Sequence, residues 1–72
     1  MKLIMLYSRK DNNFDFESRN KWYLQCIENG KLYFTSVINV AKKFSSSEDF
    51  EKDFKLVKQR MAKNWIINEQ LY

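Results

Sequence analysis

The Asn-Gly pair at positions 29 and 30 places the tightest constraint on how this chain can fold. Gly30 is the only glycine in the 72 residues, and proline is absent. The pair lies between two runs of apolar and aromatic residues, and a two-residue type I′ turn needs positive φ angles at both central positions. The sequence therefore predicts a β-hairpin over residues 21–38 with its turn at Asn29 and Gly30.

The turn also predicts the register and the two faces of the hairpin, because residues pair one by one outward from Glu28 opposite Lys31. One face then carries Trp22, Leu24, Cys26, Tyr33, Thr35 and Val37, and the other carries Tyr23, Gln25, Ile27, Leu32, Phe34 and Ser36. Both faces are substantially apolar, and one helix can cover only one of them. The other face needs a second cover, which could be the loop over 8–20, a second copy of the chain or a partner.

A first strand is predicted over residues 2–7, because the apolar run that follows Lys2 is uninterrupted. Such a strand is central in its sheet or covered on both faces. Residues 8–20 are polar and predict a loop. Phe14 and Phe16 share one face of that loop if it is extended, and they either pin the loop to the core or begin another strand.

An amphipathic helix is predicted over residues 47–67, after a helical turn over 39–44. Two capping boxes, Ser45 with Glu48 and Ser46 with Asp49, compete for its start. One apolar stripe runs along the helix at steps of three and four, and residues 68–72 are predicted to form a tail. The stripe contains Phe50, Phe54, Val57, Met61 and Trp65. The predicted fold is a small α+β domain, in which an antiparallel sheet of one N-terminal strand and the hairpin packs against one long C-terminal helix.

No group of residues in the chain predicts catalysis. Histidine is absent, and the single cysteine, Cys26, lies in an apolar run typical of a core position. One glycine in a hairpin turn excludes a glycine-rich phosphate loop. Helix-dipole stabilisation and solvent exposure explain the acids at the start of the helix, which are Glu48, Asp49, Glu51 and Asp53. We expect a protein that is not an enzyme and has no cofactor and no metal site.

The net charge of +4 permits contact with nucleic acid but does not require it. Lys52, Lys55 and Lys63 would form a basic ridge on the helix, opposite the apolar stripe, and such a ridge could contact phosphates. The chain has no signal-peptide pattern and no run of about 20 apolar residues. We therefore expect a cytoplasmic protein that does not enter the membrane.

Two segments carry a resemblance, YLQCIENGKLYFT over 23–35 and VAKKFSSSEDF over 40–50. They resemble small ββα proteins encoded by phages and mobile elements of AT-rich genomes such as those of Firmicutes, in which a hairpin leads to an A-x-x-F-S stretch and a capped helix. The class includes inhibitors of host defence such as anti-CRISPR proteins, which occupy a functional surface on a larger host protein. The similarity covers about residues 22–66 and carries over no catalytic or ligand residue. The basic charge departs from the acidic members that imitate DNA.

Three functions remain open on these grounds. The first is an inhibitor that binds a host protein, such as a defence nuclease or its complex, in the cytoplasm of the host cell. The second is a small basic DNA- or RNA-binding protein that uses the lysine ridge. The third is an oligomer that sequesters a nucleotide signal, and a homodimer is compatible with each. The residues predicted for the partner surface are Phe14, Phe16, Tyr23, Gln25 and Phe34.

Overall fold

The structure of the protein is a computed structural model, which describes residues 1–10 and 20–72. Within these residues the fold is a small α+β arrangement of a four-stranded antiparallel sheet and one α-helix. A short 3-10 helix lies between the third strand and the α-helix. The elements are β1 (Lys2–Ser8), β2 (Trp22–Glu28), β3 (Lys31–Thr35), the 3-10 helix (Ile38–Val40), α1 (Ser47–Met61) and β4 (Trp65–Leu71).

β1 is a central strand of the sheet, whose order is β3-β2-β1-β4. It pairs antiparallel with β2 at Met5 and Leu6 only, and with β4 along its whole length. Every residue from Leu3 to Tyr7 is buried. The prediction that this strand is central or covered on both faces is therefore confirmed.

The predicted turn is also confirmed, with φ of 53° at Asn29 and 76° at Gly30. The predicted register holds from the turn as far as Cys26 opposite Tyr33 and is wrong beyond it. Leu24 pairs with Phe34 and Tyr23 pairs with Thr35, because a β-bulge between Leu24 and Cys26 places one extra residue in β2. A bulge of this kind turns the strand and reverses the alternation of faces past it.

The bulge redistributes the hairpin side chains between the two faces. Leu24 and Ile27, predicted on opposite faces, both pack on the side that α1 covers. Tyr23 and Phe34, predicted on the same face, belong to different cores. One extra residue thus lets β2 contribute large apolar side chains to both cores.

The first core lies between the sheet and α1, and we call it the helix-side core. Phe50 packs edge-on against Phe44, with ring centroids 5.5 Å apart, and stacks on Phe54 at 5.1 Å. The predicted helix stripe supplies its residues to this core. The buried members are Ile4, Leu6, Leu24, Phe44, Phe50, Val57 and Ile67, and Ile27, Leu32, Phe34, Phe54, Met61, Ala62 and Trp65 pack against them.

The helix begins and ends differently from the prediction. Its N-cap is Ser46, whose hydroxyl accepts a hydrogen bond from the Asp49 N–H at 3.4 Å, so the second of the two capping boxes forms. It ends at Met61, and the predicted continuation to 67 with a tail over 68–72 is wrong. Residues Trp65–Leu71 form β4 instead. Trp65 matches the spacing of the helix stripe and does pack against the helix-side core, but it does so from β4 and not from α1.

The second core lies on the other face of the sheet, and we call it the opposite-side core. Its cover is the chain from Val37 to Lys43, where the predicted helical turn over 39–44 is replaced by the 3-10 helix Ile38–Val40 and an extended stretch. The buried members are Leu3, Met5, Tyr7, Tyr23 and Ala41, and Ile38 and Ile66 pack against them. The chain itself thus provides the second cover that the two-sided apolar sheet required.

The stretch 41–44 crosses the sheet from one core to the other. Ala41 belongs to the opposite-side core, and Phe44 belongs to the helix-side core. Between them the Lys42 N–H donates to the Leu24 carbonyl of β2, at 2.9 Å, and Phe44 exchanges two backbone hydrogen bonds with Lys2 of β1. The chain therefore passes between β1 and β2 where their own pairing has ended.

Candidate functional site

An open apolar groove lies at the end of the sheet where α1 stops. Its volume is about 230 Å³. Only apolar side chains line it, and we call it the tryptophan groove, because both tryptophans of the chain lie in it. The lining residues are Leu6, Trp22, Phe34, Met61 and Trp65.

The groove exists because four strands and one helix end close together. Leu6 of β1 pairs directly with Trp22 of β2, so their side chains lie side by side on the same face of the sheet. The bulge in β2 brings Phe34 of β3 to that face as well. α1 ends at Met61, and the turn over 62–64 returns the chain to the sheet at Trp65.

The chemistry of the groove favours an apolar occupant. Its volume is below the range of about 300–1,000 Å³ found for small-molecule sites, and it suits a single large side chain. No polar side chain contributes to its lining among the described residues. A polar ligand buried there would lose hydrogen bonds to water without replacement, at a cost of roughly 1–3 kcal/mol for each group.

Several basic residues are close to the lining residues, in contact or in sequence. Arg9 donates from Nε to the Ala62 carbonyl at 2.9 Å, beside Met61, and its backbone N–H donates to the Asn64 carbonyl. Arg60 donates to the carbonyl of Gly30. Lys63 is exposed in the turn before Trp65, and Lys21 precedes Trp22. No acidic residue is adjacent in sequence to a lining residue, and the Arg9 side chain beside Met61 favours a negatively charged group there.

The residues predicted for the partner surface do not form one surface. Phe34 lines the tryptophan groove. Gln25 is exposed at the bulge, whereas Tyr23 is only 6% exposed and lies in the opposite-side core. Phe14 and Phe16 lie outside the described residues.

Trp22 is the main groove residue that sequence reasoning missed. It is 40% exposed, which is unusual for the largest apolar side chain. The predicted register assigned it to the face of Leu24 and Cys26, away from Phe34. The presence of only two tryptophans, one directly after Lys21 and the other two residues after Lys63, is the one signal in the sequence that could have singled it out.

The predicted lysine ridge is divided. Lys52 and Lys55 are exposed on α1, but Lys63 lies in the turn after the helix and not on its surface. Asp53, predicted to be solvated, is 8% exposed and accepts a hydrogen bond from Nζ of Lys42 at 2.7 Å. The Lys42 ammonium also lies 4.9 Å from the centre of the Phe44 ring. Lys42 is thus a structural contact between the crossing stretch and the helix.

Reactive and metal-binding side chains do not form clusters in the part of the chain that the structure describes. Cys26 is half-buried and free. No cluster of three metal-binding side chains occurs within residues 1–10 and 20–72. Over the same residues, no helix has the length and apolar composition that crossing a bilayer requires.

Comparison with known proteins adds no family to this description. No protein-family model matches the chain, and no curated protein and no solved structure matches it significantly.

Proposed function

We propose that this chain is a non-catalytic binding protein that receives an apolar side chain of a partner protein in the tryptophan groove. The observation that carries the proposal is the combination of a wholly apolar groove with a basic rim. Large aromatic side chains in a partly exposed cleft, surrounded by charged residues, are typical of the centres of protein interfaces.

The charges of the rim define the partner segment further. Arg9 is held in place by the Ala62 carbonyl next to Met61, so its positive charge stands at a fixed position beside the groove. A partner that inserts an aromatic or aliphatic side chain with Asp or Glu on either side would complement both features. A lysine-flanked segment of the same shape would be repelled.

The biological role that we propose follows the resemblance to phage-encoded ββα proteins. The chain would inhibit a host defence protein by occupying a functional surface on it, in the cytoplasm of the host cell. The groove supplies the kind of surface that such inhibition needs, because it can hold a partner without performing chemistry on it.

Nucleic-acid binding is the second candidate, because aromatic side chains beside Lys and Arg can stack bases and contact phosphates. The groove favours this candidate less. A base inserted among Leu6, Phe34 and Met61 would bury polar edges against side chains that form no hydrogen bonds. A sponge for a nucleotide signal meets the same objection.

The two tryptophans allow a direct test of the groove. We would label the protein with 5-fluorotryptophan, so that both ¹⁹F resonances arise from groove residues, and assign them with the Trp22→Ser variant. We expect both resonances to shift with an acetylated peptide in which Phe is flanked by Asp and Glu. A peptide with the same Phe flanked by lysines should shift neither. Shifts with oligothymidine and not with the acidic peptide would favour nucleic-acid binding and contradict the proposal.

The inhibitory role needs a cellular test. Phage plating would be measured on strains that each carry one defence system and express the wild-type chain, Trp22→Ser or Tyr33→Ser. Tyr33 is a matched control, because it is an aromatic residue of the same hairpin with similar exposure, 45% against 40% for Trp22, and lies outside the groove. We expect plating to rise with the wild type and Tyr33→Ser and not with Trp22→Ser. Equal rescue by all three would show that the groove does not carry the function.

The predicted contribution of Phe14 and Phe16 can be tested in the same assays. If these side chains contact the partner, the double variant Phe14→Ser/Phe16→Ser should keep the wild-type melting temperature and lose rescue. A melting temperature lowered as much as by a core truncation, together with stronger binding of the acidic peptide, would mean that they fill the groove themselves. That result would overturn the proposal.

A further inference from the structure

β4 presents an open row of backbone hydrogen-bonding groups along the edge of the sheet. It is the last strand in the order β3-β2-β1-β4, and no strand of the described residues adjoins its outer side. The β1–β4 ladder runs from Trp65 to Leu71 without a shift in register. Its outer edge is therefore regular along its whole length.

The hydrogen bonds at both ends of this ladder show which residues face the edge. The Tyr72 N–H donates to the Met1 carbonyl, and the Arg9 N–H donates to the Asn64 carbonyl. Residues of an antiparallel strand alternate between bonding inward and outward. Even-numbered residues of β4 therefore bond to β1. The N–H and C=O groups directed outward belong to Trp65, Ile67, Glu69 and Leu71.

Among the described residues, the usual protections of a sheet edge are missing from β4. Natural edge strands carry lysine, proline, a bulge or a covering segment that discourages pairing with another chain. β4 has no proline, no lysine and no bulge. Its one charged residue is Glu69, whose carboxylate is 3.1 Å from Nζ of Lys2 in the neighbouring strand. Near its end Leu71 is 77% exposed.

We propose that β4 pairs antiparallel with β4 of a second copy of this chain, around a two-fold axis at Asn68, which joins two four-stranded sheets into one. This interaction is independent of the proposed function. In this register each outward-facing residue exchanges two hydrogen bonds with the second copy, Trp65 with Leu71 and Ile67 with Glu69. The whole row of open groups is then satisfied.

The side chains in this register complement one another. Exposed Leu71 of the second copy would lie beside Trp65, an apolar pair that occurs twice by symmetry. Asn68 lies opposite itself, where the two amides can hydrogen-bond. The two Glu69 carboxylates lie diagonally across the axis, each already accompanied by its own Lys2. A foreign extended peptide could use the same backbone groups, but the self-complementary pattern favours a second copy.

A cysteine test reads out the register directly. In a Cys26→Ser background, Asn68→Cys places two thiols opposite each other in a non-hydrogen-bonded pair, with Cβ atoms about 4.5–5.5 Å apart. Mild relaxation of the pair brings them to disulfide distance. The matched control is Gln70→Cys, on the same face of the same strand, where the two thiols would be about 14 Å apart along the strands.

We expect Asn68→Cys to form a disulfide-linked dimer at least about tenfold faster than Gln70→Cys under the same glutathione buffer, because only its geometry permits the bond. Faster cross-linking of Gln70→Cys, or equal rates for both variants, would overturn the proposed register.

The second experiment removes one outward N–H. Glu69→Pro deletes a donor that β1 does not use, a substitution that edge strands tolerate. Glu69→Ala is the control, because it removes the side chain and its contact with Lys2 but keeps the N–H. Sedimentation equilibrium would be measured from about 1 µM to about 1 mM, since an edge contact of this size associates weakly.

We expect the wild type and Glu69→Ala to form dimers and Glu69→Pro to remain monomeric with a wild-type circular dichroism spectrum. A wild type that is monomeric over the whole range overturns the proposal, as does a Glu69→Pro dimer of undiminished affinity. A monomeric wild type whose Ile67 and Glu69 amide resonances shift on addition of an extended peptide would assign the edge to a foreign strand. If Glu69→Pro fails to fold, the cysteine experiment decides.

Discussion

The two faces of the sheet are buried to a similar depth by covers of different kinds. On the helix side a regular 15-residue helix covers β1 with large aromatic rings from Phe50 and its neighbours. On the opposite side an irregular stretch from Val37 to Lys43 covers the same strand, and its only buried residue is Ala41. Leu3 and Ile4, which point to the two different covers, are both completely buried.

The difference shows that burial does not require a regular element. A helix is separated from the sheet by the length of its side chains, so the space must be filled with bulky residues. A single extended stretch can approach the sheet closely where its residue is small, and Ala41 occupies such a place. The two faces should therefore respond oppositely to a change in side-chain volume.

The largest effect is expected from truncation on the helix side. Phe50→Ala should lower the free energy of unfolding by about 3–5 kcal/mol, because the ring is 2% exposed and contacts both Phe44 and Phe54. Urea denaturation followed by circular dichroism would measure it. Phe54→Ala, at a half-buried ring of the same stack, should cost less. A larger loss for Phe54 would mean that the helix is rotated from the orientation described.

An enlargement on the opposite side should have an intermediate effect. Ala41→Leu should destabilise the protein by about 1–3 kcal/mol, because the added carbons enter the opposite-side core, where Ala41 is buried with Tyr23. The control is Val40→Leu at the adjacent half-exposed position, where we expect a change within about 0.5 kcal/mol. An unchanged melting temperature for Ala41→Leu would show that the stretch Val37–Lys43 is not closely packed on the sheet.

The smallest loss of stability is expected at the start of α1, where a side chain caps the helix. Ser46→Ala should cost about 0.5–1 kcal/mol, at the lower end for an N-cap because its hydrogen bond to the Asp49 N–H is long. Ser45→Ala is the matched control and should leave the melting temperature unchanged. The 3-10 helix of the other cover has no side-chain cap. A larger loss of stability for Ser45→Ala than for Ser46→Ala would mean that the helix starts one residue earlier.

The parts of the fold that sequence predicted are those governed by local chemistry. Asn29 and Gly30 specify their turn through φ alone, and the apolar stripe from Phe50 to Met61 specifies a helix face through its spacing. The central position of β1 followed from its unbroken apolar run. Each of these signals lies within a few residues of the structure that it determines.

The parts that sequence did not predict depend on distant neighbours. No local pattern marks Gln25 as the extra residue of a bulge, because the bulge serves the packing of two faces at once. β4 was taken for helix and tail, although Ile66 and Ile67 are β-branched, because its pairing with β1 outweighs local preference. The tryptophan groove was missed for both reasons, the unpredicted bulge and the unpredicted β4. Phe34 was predicted to contact a partner, but Trp22 and Trp65 were assigned elsewhere.

The central place of β1 has a consequence for synthesis of the chain. Leu3–Tyr7 is made more than fifty residues before its longest partner, β4, with which it pairs until Lys2 lies opposite Leu71. Contacts between such distant residues form slowly because a long loop must close first. Until then an apolar segment with strong β preference has only its short pairing with β2 at Met5 and Leu6, and its other edge can pair with other nascent chains. We therefore expect the yield of folded protein to depend on chaperones or on slow, cool expression.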